Sequence, residues 1–174
     1  MIRKGFFWML LIALIGYWVF ADTFFPPETI TAESAHIIDG DTLVINHKAY
    51  RLLGIDAPEY RQTCKDGAGK DWPCGKAARA QLVALTTSGS ITCIPSAIDR
   101  FGRNIAKCSS ATIPDLGEAM VQSGLAISPA EYGSAVYETA ETSAKISKRR
   151  LWQGTFDTPS AWRTAHPRTD QPKL

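Results

Sequence analysis

The sequence predicts an α+β protein: a small β-barrel of five strands with about three helices at its side, preceded by an N-terminal signal or anchor helix. Three observations point there. Short β-branched runs, separated by turn residues, recur between Thr29 and Ser109. Helical apolar stripes occur only between and after them. The extreme N-terminus joins basic residues to a short apolar run, the form of an export segment rather than of a core helix.

That N-terminal segment begins Met1-Ile2-Arg3-Lys4 and runs without charge from Phe6 to Phe20. It is short against the ~20 residues of a comfortable membrane span. Val19-Phe20-Ala21 suits signal cleavage, whereas the bulky Trp8, Tyr17 and Trp18 suit a retained anchor, and both readings stay open. In either case Arg3 and Lys4 stay cytoplasmic and the rest crosses the membrane. The expected location is periplasmic or extracellular, with residues 6–20 as an inner-membrane tether if they are kept. The organisation follows: 1–21 as signal or anchor, 22–28 with Pro26-Pro27 as linker, 29–152 as the folded domain, and 153–174 as a tail.

Thr29 to Ile38 has the alternating pattern of a first strand, and Asp39-Gly40-Asp41 is a turn. Thr42–Ile45 and Ala49–Ile55 form a hairpin; a two-residue turn at His47-Lys48 sets Asp41 roughly opposite Gly54. Glu59 to Pro73 is a long polar loop. Gly75–Thr87 is a helix striped by Ala78, Leu82 and Leu85. Ser90–Ile94 and Ile105–Ser109 make a second hairpin around Asp99-Arg100-Phe101-Gly102-Arg103. Pro114–Ser123 is a short helix stopped by Gly124, and Tyr137–Leu151 is a last helix whose Lys148-Arg149-Arg150 suits the negative end of its dipole. From Trp152 the tail is rich in Pro and Thr, with Trp162 packing back. Five strands with helices at one side suggest the five-stranded Greek-key barrel of an OB-fold.

The four cysteines match no common zinc spacing and allow three pairings. Proximity favours Cys64–Cys74 and Cys93–Cys108, and centring the second hairpin on the Arg100–Phe101 bond sets Cys93 opposite Cys108. An oxidising compartment lets such bridges form; the alternative is four buried thiols. The net charge is +2, but Arg3 and Lys4 account for it, so from Asp22 onward 17 basic residues balance 17 acidic ones. A broad basic field for nucleic acid is thereby excluded, and any such function must rest on a local site.

One rim carries the chemistry. The first hairpin brings Asp41 and Asp56 to the same end, and paired carboxylates call for neutralisation by a hard cation such as calcium. Arg51, Glu59 and Arg103 stand around them. A cation and two guanidinium forks neutralise phosphodiester oxygens, and a carboxylate orients or deprotonates water.

Ile38-Asp39-Gly40-Asp41-Thr42, Tyr50-Arg51-Leu52-Leu53-Gly54-Ile55-Asp56-Ala57-Pro58-Glu59 and Asp99-Arg100-Phe101-Gly102-Arg103 resemble the three signature blocks of the staphylococcal nuclease family. Asp115-Leu116 to Gly124-Leu125-Ala126, and Leu151-Trp152, resemble its later elements, so the resemblance runs from about Thr29 to Trp152. It implies an OB-fold barrel and calcium-dependent cleavage of DNA and RNA to 3′-phosphates; a monomer is the expected state, although no residue pattern addresses it. By position it makes Asp41, Asp56 and the carbonyl of Ala57 metal ligands, and Arg51, Glu59 and Arg103 catalytic. Arg100, Phe101 and Tyr132 become substrate-binding residues. This chain departs from the family at Ala57 (a threonine there), at Phe101 (a tyrosine), near Ala130 (a second tyrosine), and in the Tyr60–Pro73 loop. A binding-only OB module or a structural envelope domain would have no need of both aspartates, both arginines and Glu59 together.

Overall fold

The computed structural model describes residues 8–14, 28–87, 89–130 and 136–167. Its architecture is mixed α and β, built on one curled six-stranded sheet. The strands are β1 (Ile30–Ala32), β2 (His36–Ile37), β3 (Thr42–Ile45), β4 (Lys48–Leu52), β7 (Ile91–Ile98) and β8 (Asn104–Ser110). Their spatial order is β1-β7-β8-β4-β3-β2, with β4 and β8 parallel and the other pairs antiparallel.

The two edge strands of this sheet are neighbours in the chain. Only residues 33–35 separate β1 from β2. A link of that length reaches on the order of 14 Å even when extended. The two edges are therefore drawn together and the sheet curls into a half-barrel, as in an OB-like fold. The run expected as a first strand, Thr29 to Ile38, is thus divided: one part pairs with β7 and the other with β3. Changing partners across a bend is what closes the curl, and it turns five expected strands into six.

The first hairpin corrects the expected register. Ile45 pairs with Lys48 and Thr42 with Arg51, so the two-residue turn is Asn46-His47. Both turn residues have positive φ, 49° and 64°. Such a turn favours Asn at its first position, because a short polar side chain tolerates the left-handed region. Asp41 consequently lies opposite Leu52, whose N–H donates to its carbonyl at 2.8 Å. Alternation on β4 buries Tyr50 and Leu52 and turns Arg51 away from the core.

In the second hairpin Cys93 pairs with Cys108 as expected, and a bulge between Pro95 and Ala97 carries both strands further than the sequence suggested. The two disulfides are Cys64–Cys74 and Cys93–Cys108. The loop after Glu59 holds its own two-residue ribbon, β5 (Cys64–Lys65) with β6 (Asp71–Trp72).

The helices pack on the open side of the curl. Helix α1 (Cys74–Thr86) places Ala78 and Leu82 in the core beside Leu43, Tyr50, Leu52 and Ile55. Helix α2 (Leu116–Gln122) is capped by Asp115, whose carboxylate accepts the N–H groups of Gly117 and Glu118. Gly124, at φ 75°, ends it: its N–H bonds to Val121 and that of Leu125 to Met120. Helix α3 (Glu138–Ile146) is shorter than the expected Tyr137–Leu151. Lys148 takes φ 49°, and the N–H groups of Lys148 and Arg149 return to Lys145 and Ala144. This Schellman-type ending stops the helix before Arg149 and Arg150. Arg149 donates at 2.7 Å to the carbonyl of Gln122, so its charge meets the end of α2 instead.

The tail is not featureless. After a 3-10 turn (Arg150–Gln153), helix α4 spans Pro159–Ala165, with Thr158 accepting the N–H of Ala161 and proline in its first turn. Trp162 stacks on His166, with ring centroids 4.4 Å apart. Residues 8–14 are helical, and no helix among the described residues is long and apolar enough to cross a membrane. The expected cleavage site at Val19-Phe20-Ala21 lies outside the described residues.

Candidate active site

The rim is assembled by three chain segments that the sheet brings together. The turn before β3 supplies Asp39 and Asp41. Asp39 Oδ1 accepts the N–H of Asp41 at 3.2 Å and so fixes the turn. Gly40 permits close approach here, since an added Cβ would sit 2.7 Å from the methyls of Ala57 and Ala78. Asp41 Oδ1 accepts the Thr42 hydroxyl at 2.8 Å, and Oδ2 accepts the N–H of Ala57 at 3.0 Å. The strand β4 supplies Arg51. The exit from β4 supplies Asp56, whose backbone exchanges two 2.9 Å hydrogen bonds with Ile127.

Arg51 ties the two aspartates together. Its Nη1 donates to Asp41 Oδ1 and its Nη2 to Asp56 Oδ1, both at 2.7 Å. Both carboxylates are 3% exposed. Glu59 lies beside them, also buried, with its N–H on Gln62 Oε1 at 3.2 Å. Gln62 is buried in turn and donates to the carbonyl of Asp157 at 2.8 Å. Asp39, Asp41, Asp56 and Glu59 therefore concentrate negative charge in a largely water-excluded rim. Burial first, and then the charge of Asp41, push the Asp39 carboxyl up to about 7.

A residue that no sequence motif selects enters the same cluster. Arg163, on α4, donates through Nη1 to Asp56 Oδ1 at 3.0 Å and to Glu59 Oε1 at 3.1 Å, and through Nη2 to Asp56 Oδ2 at 3.1 Å. Partial burial works against its charge, but the bonds from Asp56 and Glu59 outweigh that and hold it above the ordinary arginine range. No motif marks this arginine, and it sits in a segment that the sequence shows only as a Pro- and Thr-rich tail.

Arg103 is placed differently. Its Nε donates to Asp99 Oδ2 at 2.8 Å and its N–H to Asp99 Oδ1 at 3.0 Å. Those bonds and that of the Phe101 N–H overcome the effect of burial and hold Asp99 below the usual carboxylate range. Phe101 is exposed at the hairpin tip, with the Arg100 guanidinium 4.8 Å and that of Arg103 5.5 Å from its ring centre. The structure thus brings Asp41, Arg51, Asp56 and Glu59 into one bonded cluster and sets Arg100, Phe101 and Arg103 on the adjoining hairpin. Tyr132 lies outside the described residues.

The donors at the rim are all oxygens, the chemistry of a hard divalent cation. The carboxylates of Asp41 and Asp56 are oxygen ligands of the kind such an ion takes, and both already hold Arg51. Among the described residues, no group of three or more His, Cys, Asp and Glu side chains forms a cage by itself. A shallow groove lined by Glu33, His36, Arg79 and Thr86 lies beside α1 and contains none of these site residues.

Residues 49–154 match the SNase family, described as staphylococcal nuclease homologue. The match includes Arg51, Asp56, Glu59 and Arg103; Asp41 precedes it and Arg163 follows it. The chain is also 33% identical over 120 residues to the succinoglycan biosynthesis protein ExoI of Rhizobium meliloti (strain 1021). That alignment covers 68% of this chain and 63% of ExoI, so the chain spans less than two thirds of that relative's length.

Proposed function

The chain belongs to the staphylococcal nuclease family, and from that membership we propose that it is a calcium-dependent endonuclease hydrolysing phosphodiester bonds of DNA and RNA, with 3′-phosphate products. The observation that carries this reading is the single guanidinium of Arg51 held between the buried carboxylates of Asp41 and Asp56, with Glu59 beside them.

Asp41, Asp56 and the Ala57 carbonyl would hold the calcium ion, which supplies positive charge for the phosphate oxygens and the leaving group. Arg51 already spans two anionic acceptors, and the same fork suits two oxygens of a phosphate. Arg103 adds a second guanidinium from the neighbouring hairpin. Glu59 is buried beside Asp56, where it can orient or deprotonate the attacking water. Phe101 between Arg100 and Arg103 offers an aromatic face flanked by two cations, a surface that accepts single-stranded nucleic acid by stacking and charge. Two disulfides suit an oxidising compartment. Together with the N-terminal segment they support an exported protein, released or tethered by residues 6–20.

The test is to incubate the full chain with single-stranded DNA and RNA in calcium and in a calcium chelator. Cleavage that requires calcium is the expected result. Absence of any calcium-dependent cleavage would remove the enzyme reading and leave a nucleic-acid-binding module.

A further inference from the structure

The C-terminal segment is seated on the loop that follows Glu59. The Lys65 N–H donates to Thr155 at 2.8 Å, and Gln62 donates to Asp157. Leu151 and Phe156 pack against the Cys64–Cys74 bridge and Trp72. These contacts run through Asp157; Thr158 then caps helix α4, whose first residue, Pro159, is buried. Beyond that point the one charged side chain of α4 is Arg163, directed into the carboxylate rim.

Arg163 takes both oxygens of Asp56 and one of Glu59. Asp56 Oδ1 also receives Arg51, so each of its two lone-pair directions has a donor, and Oδ2 keeps one. A divalent ion on that remaining direction would stand beside the Arg163 guanidinium, two like charges competing for one buried carboxylate, with the screening of a half-exposed arginine. The same guanidinium also takes one oxygen of Glu59, Oε1, at 3.1 Å. Docking of α4 and occupation of the rim by a cation are therefore mutually opposed.

We propose that α4 is a built-in latch: Arg163 occupies the Asp56–Glu59 pair when the rim lacks a divalent cation and is displaced when calcium binds. This rests on the reading of Asp41 and Asp56 as cation ligands. The contacts through Asp157 and the buried Pro159 hold the start of α4 in place, so the part that moves is the arm beyond them that carries Arg163. The family match stops at residue 154, so Arg163 lies beyond the matched segment. By reciprocity, whatever the docked helix takes from calcium affinity, calcium takes from the docking of the helix.

The experiment measures calcium binding by titration calorimetry on the full chain, the Arg163→Gln variant and the Arg163→Lys variant. In parallel, amide hydrogen exchange over residues 159–166 is followed in the unsubstituted protein with and without calcium. Arg163→Gln is expected to bind calcium about tenfold more tightly, within the range of ordinary coupling between sites. Arg163→Lys, which keeps the charge but loses the two-pronged fork, should fall between. Calcium should speed exchange in α4. Equal or weaker calcium affinity in Arg163→Gln, with exchange in α4 unmoved by calcium, would overturn the latch while leaving the cation site standing. No calcium binding by any of the three proteins would overturn the cation site and the latch together.

Discussion

Arg51 reaches Asp41 with one end of its guanidinium and Asp56 with the other. Truncating it would leave two buried carboxylates without their shared partner, and it would remove the guanidinium proposed above to grip the phosphate. Arg51→Ala is expected to lose at least about 100-fold in cleavage rate, the scale of one transition-state donor. Arg103→Ala should lose a similar factor, although its present partners are Asp99 and Phe101. Steady-state rates on a single-stranded DNA substrate check both, and near-normal cleavage by Arg103→Ala would show that the second guanidinium comes from elsewhere. At this scale Asp41, Arg51, Asp56 and Glu59 were legible because motif spacing marks them. Arg163 was not, because its proximity to Asp56 arises only from tertiary docking between residues 107 positions apart.

Among the elements, the ends of helices carried less signal in the sequence than their middles. The apolar stripe of α1 was readable from Ala78 and Leu82, and α2 from Leu116 and Met120 with Gly124 as its stop. The end of α3 was hidden, because it depends on Lys148 adopting a left-handed backbone that its residue type does not announce. Strain of that kind costs about 1 kcal/mol or more for a residue with a Cβ. Lys148→Gly is therefore expected to stabilise the protein by roughly 0.5–1 kcal/mol, read as a raised midpoint in urea unfolding. A lowered midpoint would mean that the Lys148 side chain contributes more than the turn costs it. The first hairpin teaches the same lesson: period-2 alternation showed two strands, but only the φ preferences of Asn46 and His47 fix which pair forms the turn.

For the whole molecule, closure of the sheet depends on one short bend at residues 33–35, while the cross-strand bridge between Cys93 and Cys108 pins the β7–β8 hairpin within it. Both sulfur-bearing residues lie in the core, so the bridge also fills space. Its sequence separation of 15 residues corresponds in the chain-entropy treatment to about 3 kcal/mol. Replacing both cysteines by alanine should lower stability by that order in denaturant unfolding, and an unchanged midpoint would show that the β7–β8 pairing holds without the bridge. Barrel-like architecture was legible because turn residues punctuate short strands throughout. The six-strand count was not, since one continuous β-branched run serves both edges of the sheet.

The central claim is that Asp41 and Asp56 gather a calcium ion at a phosphodiesterase rim. The most direct measurement is the initial rate of single-stranded DNA cleavage across a calcium titration, for the full chain and for an Asp41→Asn/Asp56→Asn variant. The account predicts a rate that saturates with calcium in the unsubstituted chain and falls by at least about 100-fold in the variant. Cleavage that persists in chelator, or a variant that keeps its rate and calcium dependence, would contradict it.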